Sequence, residues 1–228
     1  MNISRPPVLQ GLEALRRDNP WPEFDWSCVD PFYLSLDGGG RELVTRHLVP
    51  GHSVVMVEVG CFLCGSTRQW LTASPDTTII GIDPWDGNWG PYVRDMATNH
   101  NMKRHLREVA DVDQLVADLL KFGNYAVALN NVRAYADRFI PIRGRSPDCL
   151  EYLKKRGIEP DLIYIDAFKD ERDLEAAYRL FPDAVICGDD WNWRNGGGVL
   201  QMQEHVRSFA KRHGMWVEAE RATWLLRK

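Results

Sequence analysis

One apolar run followed by a glycine-containing turn constrains the fold of this chain more than any other feature. Val54–Val59 is almost continuously apolar, which is typical of a central parallel strand covered on both faces. Gly60 follows the run, and Gly65, Ser66 and Thr67 begin the next helical stretch. Glycine lets the backbone approach a ligand closely, and a helix N-terminus offers free N–H groups. We interpret this segment as a loop that binds an adenosine-type cofactor.

Apolar strand runs alternate with helical stretches along the rest of the chain. After the first run, the predicted strands are Thr78–Asp83, Phe139–Arg143, Asp161–Asp166, Ala184–Asp189, Met215–Glu220 and Thr223–Arg227. This alternation predicts a Rossmann-like, doubly wound α/β sheet of about seven strands, most of them parallel. A tight turn near Arg221 joins the last two strands directly, which implies one antiparallel edge strand.

The chain length of 228 residues suits one sizeable α/β domain. Residues 1–35 are rich in Pro and Trp and show little periodicity, so we interpret them as irregular, whereas Arg41–Leu48 is predicted to be a short helix. Residues 1–50 together are interpreted as an N-terminal arm or cap. Residues 51–228 then form the domain, and residues 84–138 form an insert within it. The second part of the insert, from about Asp111 to Val132, is predicted to be helical.

Composition and charge argue against several classes of partner. The net charge of −4 does not favour nucleic acid or an anionic membrane, and no apolar run approaches the length of a membrane span. The segment Met1–Asp18 lacks the apolar core of a signal peptide, so we expect a cytoplasmic protein. A homo-oligomer is compatible with the sequence, which leaves the oligomeric state open.

The five cysteines do not have the spacing of a disulfide framework. Cys61 and Cys64 form a C-x-x-C pair, for which a redox role is one interpretation. A zinc site would need a second pair of ligands at suitable spacing, and the sequence offers none. We favour the interpretation that both are small residues lining a tight loop.

Polar residues stand where the first three strands end, and ligands of a doubly wound sheet bind at that edge. Glu58 would repel a pyrophosphate but suits a cationic ligand, and the loop after it lacks both G-x-G-x-x-G and the P-loop lysine. Asp83 is placed to accept hydrogen bonds from ribose hydroxyls, or else serves as a turn residue before Pro84. Ser146, shortly after the third strand, is a candidate for contacting adenine.

Three aspartates end two neighbouring strands, namely Asp166, Asp189 and Asp190. Clustered carboxylates repel one another unless a cation or a proton compensates their charge. Oxygen ligands alone indicate a hard divalent ion, Mg²⁺ or Ca²⁺. The alternative is that Asp189 and Asp190 cap a following helix, although the glycine-rich stretch after them is typical of a loop.

Lys169 lies three residues after Asp166. A lysine beside a metal ion loses its proton more easily, because burial and nearby cations lower its pKa, and it can then act as a general base. The alternative is a surface lysine paired with Asp170 or Glu171. His100 and His105, in the insert, are alternative bases.

Tryptophan is unusually frequent, with nine residues. Four of them follow strand-like segments: Trp85, Trp89, Trp191 and Trp193. An indole ring in a loop often covers a ligand, so we expect these side chains to wall off the site and to stack on a ring.

Five of these segments together resemble the class I S-adenosylmethionine-dependent methyltransferases, and among them the metal-dependent small-molecule O-methyltransferases. The segments are Val57–Thr67, Ile80–Trp85, Gly144–Asp148, Ile165–Asp170 and Gly188–Trp191. The resemblance extends from about Val54 to Lys228. It implies a seven-stranded sheet with the last strand antiparallel.

The resemblance also implies roles for individual residues. S-adenosyl-L-methionine would be bound by Glu58, Gly60, Gly65, Ser66, Thr67, Asp83, Trp85, Ser146 and Asp166. Mg²⁺ would be bound by Asp166, Asp189 and Asp190, and Lys169 would be the general base. The acceptor would be a hydroxyl of a small molecule, whether an aromatic compound, a sugar or a natural product. Catechol enzymes have Asn at position 190, and the sugar and macrolide enzymes usually have His at position 169.

Two other functions fit parts of the pattern. A nicotinamide-dependent oxidoreductase has the same kind of sheet but needs a phosphate-binding glycine fingerprint, which the segment Cys61–Gly65 does not supply. A protein that binds S-adenosylmethionine without catalysis, or a scaffold for a partner, would leave the aspartate cluster without a use.

Overall fold

A seven-stranded sheet forms the centre of the molecule. The structure is a computed structural model that describes residues 6–36, 39–48 and 51–228. The strands are β1 (Val54–Val59), β2 (Thr77–Asp83), β3 (Phe139–Arg143), β4 (Leu162–Ile165), β5 (Val185–Gly188), β6 (Trp216–Glu220) and β7 (Thr223–Arg227). Their order is β3-β2-β1-β4-β5-β7-β6. The first five strands pair in parallel, and β7 is antiparallel to both β5 and β6. The predicted sheet, with its antiparallel strand in the edge hairpin, is confirmed.

Helices precede β1 and connect the strands that follow it. They are α1 (Pro6–Asp18), α2 (Glu42–Thr45), α3 (Gly65–Ala73), α4 (Gly90–Thr98), α5 (Val112–Val132), α6 (Asp148–Lys155), α7 (Arg172–Leu180) and α8 (Gln201–Arg212). The long α5 is broken at Gly123, whose φ of 82° is not helical. In the described ranges, no helix has the length and apolar character needed to cross a membrane.

The central strand β1 explains why two cores form. All six of its residues are buried, and successive side chains of a strand point to opposite faces. Met56 belongs to the core on one face, whereas Val55, Val57 and Val59 belong to the core on the other. The near-continuous apolar run therefore reflects a strand covered on both faces, as predicted.

The N-terminal arm differs from the prediction, because α1 is a regular helix and not an irregular segment. Leu12 and Leu15, three residues apart, are buried in the core that also contains Ile158. Gly11 permits this packing, since a Cβ atom there would lie 3.1 Å from Cδ1 of Ile158. Proline at the start of a helix costs little, so Pro6 did not prevent the helix. The boundary predicted at residue 50 lies outside the described residues.

The register of the parallel strands aligns their carboxyl ends. Val59 pairs with both Ile82 and Ile165, and Ile165 pairs with Gly188. The residues that follow these positions therefore meet at one edge of the sheet. This edge is where the sequence placed the ligand site.

Candidate active site

Two adjoining cavities open at the carboxyl edge of the sheet. The smaller cavity has a volume of about 430 Å³ and lies against Asp83 and Ser146. The larger cavity has a volume of about 870 Å³ and is lined by the aspartates after β4 and β5. Four residues line both cavities: Gly60, Phe62, Tyr92 and Asp166. These four residues, which we call the junction, form the boundary that the two cavities share.

Gly60 allows the loop after β1 to cross the end of β4. Its φ is +89°, and a Cβ atom there would lie 2.0 Å from the carbonyl oxygen of Asp166. No other residue type fits such a close approach between two backbone segments. The prediction that a glycine turn brings the backbone to the site agrees with this geometry.

Asp83 fixes the same loop from the end of β2. One carboxylate oxygen accepts hydrogen bonds from the N–H groups of Cys61 and Phe62, at 3.1 and 3.0 Å. The other accepts one from the N–H of Trp85 at 2.8 Å. Burial raises the pKa of Asp83 even though these three N–H groups act to lower it. Asp83 thus holds the turn before Pro84 by hydrogen bonds, and it also lines the smaller cavity.

Glu58 lies beneath the loop and not on the surface of either cavity. It is fully buried, and its carboxylate accepts a hydrogen bond of 2.5 Å from the hydroxyl of Ser66 and another from that of Thr67. Burial raises the pKa of Glu58 to about 8, against the lowering effect of the two hydroxyls. We expected Glu58 to contact a cationic ligand directly. In the structure it instead holds the start of α3 through its hydrogen bonds with Ser66 and Thr67.

The two cysteines of the C-x-x-C pair, Cys61 and Cys64, lie buried in the loop after β1 as free thiols. Burial raises the pKa of both thiols well above the ordinary value, so both stay protonated. This state fits the interpretation that they are small residues lining a tight loop.

The three predicted aspartates all line the larger cavity, and Lys169 lies among them. Its ammonium group is 3.4 Å from Oδ1 of Asp166 and contacts Oδ2 of Asp190. Burial acts to lower the pKa of Lys169, but the carboxylates of Asp166 and Asp190 more than offset it, and the pKa is raised. The shift is opposite in sign to the one that we expected for a neutral lysine base.

Arg41 is a site residue that sequence reasoning missed. Its guanidinium lies 2.7 Å from Oδ2 of Asp189, and the two side chains are 11% and 12% exposed. Burial raises the pKa of Asp189 to about 7; Asp166 raises it too, whereas Arg41 lowers it. The second oxygen of Asp189 is buried and has no hydrogen-bond partner among the residues that the structure describes. No local pattern pointed to Arg41, which precedes Asp189 by 148 residues.

Two cationic side chains, those of Arg41 and Lys169, compensate the negative charge of the aspartates. Arg41 contacts Asp189, and Lys169 contacts both Asp166 and Asp190. Within residues 6–36, 39–48 and 51–228, no group of three or more His, Cys, Asp or Glu side chains is arranged to hold a metal ion. The oxygen donors suit Mg²⁺ in type, but in this arrangement they do not fit it, because two cations already occupy the cluster. The Mg²⁺ site stays a prediction.

The four tryptophans divide between the cavities and the core. Trp89 lines the smaller cavity, and Trp193, 39% exposed, lines the larger one. Trp85 is buried and donates a hydrogen bond of 2.8 Å to the carbonyl oxygen of Phe62, so it supports the loop from behind. Trp191 packs under the guanidinium of Arg207.

Several remaining residues can now be placed. Gly65 and Ser66 line the larger cavity and Ser146 the smaller one, whereas Thr67 is fully buried. Tyr92, which sequence reasoning did not single out, lines both cavities and is 48% exposed. It lies on α4, a helix that was not predicted within the insert.

The two histidines of the insert also differ in position. His105 lines the larger cavity, and its Nδ1 lies 3.1 Å from the carbonyl oxygen of Ser35. His100 is exposed and is not among the residues lining either cavity in the described chain.

Comparisons with known proteins identify the fold. No family model matches the chain, and no curated protein matches its sequence. Among solved structures, cofactor-bound Rv0187 from MTB is 16% identical, with 98% of this chain and 89% of that chain covered and a TM-score of 0.51.

Two further structures match with lower TM-scores. The O-methyltransferase TomG from Streptomyces achromogenes, in complex with SAM, is 15% identical, with 99% and 90% of the two chains covered and a TM-score of 0.45. Precorrin-6y C5,15-methyltransferase from Geobacter metallireducens is 14% identical, with 86% and 92% covered and a TM-score of 0.48. At these identities the likeness concerns the fold alone. The chain has a Rossmann-like fold, and its seven-stranded sheet with β7 antiparallel is the one that the resemblance to the class I methyltransferases implied.

Proposed function

We propose that this chain is an S-adenosylmethionine-dependent O-methyltransferase that acts on a hydroxyl of a small molecule. The observation that carries the proposal is the pair of cavities that meet at the junction formed by Gly60, Phe62, Tyr92 and Asp166. A cofactor in the smaller cavity would present its methyl group through the junction to an acceptor in the larger cavity. The methyltransferase fold supports this arrangement.

The smaller cavity suits an adenosyl group better than a dinucleotide. Its loop lacks the glycine fingerprint that binds a pyrophosphate. Asp83 faces this cavity with a carboxylate suited to ribose hydroxyls. Asp166 lies at the junction, where its negative charge favours a sulfonium group that is about to lose a methyl group. A pyrophosphate at the same place would be repelled.

The ion pair formed by Lys169 and Asp190 supplies the chemistry of proton removal. An acceptor hydroxyl beside this pair gives its proton to the Asp190 carboxylate, whose pKa burial raises. The acceptor oxygen forms a bond to the methyl carbon while the carbon–sulfur bond breaks, and the electron pair stays on sulfur in S-adenosylhomocysteine. Lys169, which the neighbouring carboxylates keep protonated, stabilises the developing oxyanion. Holding both reactants in adjoining cavities reduces the barrier further.

Aromatic side chains suggest the shape of the acceptor. Tyr92 and Trp193 are exposed and line the larger cavity. Exposed aromatic rings at a cavity favour stacking on a planar or sugar ring. The acceptor in this proposal is therefore a ring-bearing compound, which covers catechols, sugars and glycosylated natural products.

A methylation screen tests the proposal. The chain is incubated with S-adenosylmethionine and a panel of catechols, sugars and glycosylated natural products, and methylated products are detected by mass spectrometry. We expect methylation of at least one class, and a loss of roughly 100-fold or more in kcat when Lys169 is replaced by Met. Lys121→Met, at a helix position outside both cavities, is the matched control and should keep full turnover. Equal turnover in both variants would remove Lys169 from the mechanism.

Divalent-metal dependence has its own test, because no step of this mechanism runs through a metal ion. Methyl transfer is measured in EDTA and again after addition of Mg²⁺. We expect turnover to persist in EDTA, since Arg41 and Lys169 already compensate the aspartates. Turnover that is lost in EDTA and restored by Mg²⁺ would support the magnesium site predicted from the sequence.

The two rival functions make different predictions in the same assays. An oxidoreductase would bind NAD and not S-adenosylmethionine. A protein that binds the cofactor without catalysis would bind S-adenosylmethionine but produce no methylated product with any acceptor.

A further inference from the structure

Two arginines of the larger cavity have no part in the mechanism above. Arg104 and Arg194 both line this cavity and are exposed. The other Lys and Arg side chains of its described lining, Arg41 and Lys169, are already paired with the aspartates after β4 and β5. Neither Arg104 nor Arg194 forms an ion pair with a carboxylate of any described residue. Because a guanidinium does not lose its proton in a protein, both keep a full positive charge.

Arg194 lies near the end of the cavity where the proton is removed. The N–H of Trp193 donates to the carbonyl oxygen of Asp190 at 3.1 Å, which closes a turn. The Cα atoms at the two ends of such a turn lie less than about 7 Å apart, so the Cα of Arg194, the next residue, is within roughly 11 Å of that of Asp190. Nη1 of Arg194 donates to the carbonyl oxygen of Gly198 at 2.7 Å, which holds the guanidinium against its own loop. Its remaining N–H groups are left for a ligand.

Arg104 reaches the same cavity from the insert. It belongs to a short 3₁₀ helix, Lys103–Leu106, whose backbone is fixed to the N-terminal arm. The N–H of Ser35 donates to the carbonyl oxygen of His105 at 2.9 Å, and Nδ1 of His105 lies 3.1 Å from the carbonyl oxygen of Ser35. The guanidinium of Arg104 makes no hydrogen bond with any residue that the structure describes, so all its N–H groups are left for a ligand.

Unpaired guanidinium groups in a cavity favour an acidic ligand. A carboxylate or a phosphate matches the planar fork of N–H donors, and hydrogen bonds between charged groups are stronger than neutral ones. The same acidic group is disfavoured beside the aspartates at the strand ends, because like charges repel one another. The charges therefore also orient the ligand, with its acidic group at the arginines. The cavity, with a volume of about 870 Å³, has room for a ring and such a substituent.

We propose that the methyl acceptor carries an acidic group, a carboxylate or a phosphate, and that Arg104 and Arg194 bind this group while the acceptor's hydroxyl lies beside Lys169 and Asp190. This inference rests on the proposed function, because it concerns the acceptor of that methyl transfer. It adds a requirement for negative charge and assigns it to two residues outside the pair that removes the proton.

Calorimetric titration with matched acidic and neutral compounds tests the inference. The chain is first saturated with S-adenosylhomocysteine, whose binding is measured in the same way. One pair of ligands is 3,4-dihydroxybenzoate and 3,4-dihydroxybenzamide, and the other is glucose 6-phosphate and glucose. We expect the acidic member of at least one pair to bind about tenfold or more tightly than its neutral partner, as hydrogen bonds to a charged group imply. The pair that shows the preference distinguishes a carboxylate from a phosphate.

Variants of the arginines test whether these two residues cause the preference. Arg104→Gln and Arg194→Gln should each weaken binding of the acidic compound several-fold, and the double variant should bind both members of the pair within about twofold of each other. Binding of the neutral compound should stay unchanged, whereas a distorted cavity would weaken both ligands. Arg179→Gln is the matched control, because Arg179 pairs with Glu151 and does not line either cavity, and it should keep the full preference.

The outcomes separate this inference from the proposed function. If the chain binds S-adenosylhomocysteine but shows no preference for the acidic member of either pair, or binds none of the four compounds, the inference is wrong and the proposed function stands. A preference that persists in the folded double variant would also overturn the inference. If S-adenosylhomocysteine does not bind, the proposed function is wrong, and the assignment of the acidic compound as a methyl acceptor falls with it.

Discussion

The carboxylates at the strand ends differ in the groups that they contact. Asp83 accepts from three backbone N–H groups, Glu58 accepts from two hydroxyls, and Asp189 pairs with Arg41. Residues of the same chemical type thus hold a loop, hold a helix start and line a cavity. The local sequence identifies the carboxylates but not their partners.

Glu58 should make stability depend on pH. Its pKa in the folded chain is about 8, above the ordinary 4.5, so the folded state binds more protons than the unfolded state between these values. The free energy of unfolding should therefore decrease as the pH rises from about 5 to about 8, by on the order of a few kcal/mol. Glu58→Gln cannot ionise and should lose this part of the pH dependence.

Urea denaturation of the native chain and Glu58→Gln at several pH values in this range provides the measurement. The difference between their unfolding free energies should shift steadily in favour of the variant as the pH rises. A difference that stays constant with pH would mean that Glu58 does not titrate in this range.

Arg41 should set the protonation of Asp189. Burial raises the pKa of Asp189 to about 7, and the Arg41 cation acts to lower it more than the backbone N–H of Asp190 does. Replacing Arg41 by Gln removes the cation and should raise the pKa of Asp189 by roughly one unit. The titration is followed by carboxyl ¹³C NMR.

Arg46→Gln is the matched control, because Arg46 pairs with Glu218 and Glu220 at an exposed position. It should leave the titration of Asp189 unchanged. A pKa of Asp189 that falls or stays constant in Arg41→Gln would contradict the ion pair.

Much of the candidate site was predictable because strand ends are visible in the sequence. Asp83, Asp166, Asp189 and Asp190 follow apolar runs, and all four line a cavity. Arg41 was not predictable, since its contact depends on how the N-terminal arm packs. The positions of Glu58 and Trp85 could not be derived either, because a pattern does not reveal which side of a loop a side chain occupies.

At the scale of elements, the turn between β1 and α3 carries the strongest steric constraint. Gly60→Ala would bring a Cβ atom to 2.0 Å from the carbonyl oxygen of Asp166, in a backbone conformation with φ of +89°. Gly60 and Asp166 directly follow the paired strands β1 and β4, which cannot move apart without breaking hydrogen bonds of the sheet. We expect a loss of more than about 3 kcal/mol in the free energy of unfolding.

Gly51→Ala separates the cost of the steric clash from the cost of placing a non-glycine residue at a positive φ angle. Gly51 has φ of +80°, and nothing in the described chain lies within 4 Å of a Cβ atom placed there. This variant should cost only about 1 kcal/mol in the same urea denaturation experiment. Equal losses in the two variants would show that the contact with Asp166 is not the cause.

Strands were easier to predict than helices in this chain. β1, β3 and β7 have the predicted bounds, and the other strands differ by one residue at one or both ends. A strongly apolar run of this kind must be buried on both faces, and a strand of a covered sheet is the element that buries it in this way. Helices α1 and α4 were missed because α1 contains Pro and Gly and α4 begins with Gly and Pro, and tertiary packing stabilises both helices regardless.

The whole molecule combines a methyltransferase fold with two cavities that meet at one edge of the sheet. The fold was predictable from the alternation of strands and helices. The division into two cavities was not, because it depends on the packing of α4 and of the arm around the strand ends.

Calorimetric titration of the purified chain with S-adenosylmethionine and, separately, with NAD tests the central claim most directly. The proposed function predicts saturable binding of S-adenosylmethionine, competition by S-adenosylhomocysteine and no binding of NAD. Binding of NAD without binding of S-adenosylmethionine would contradict it.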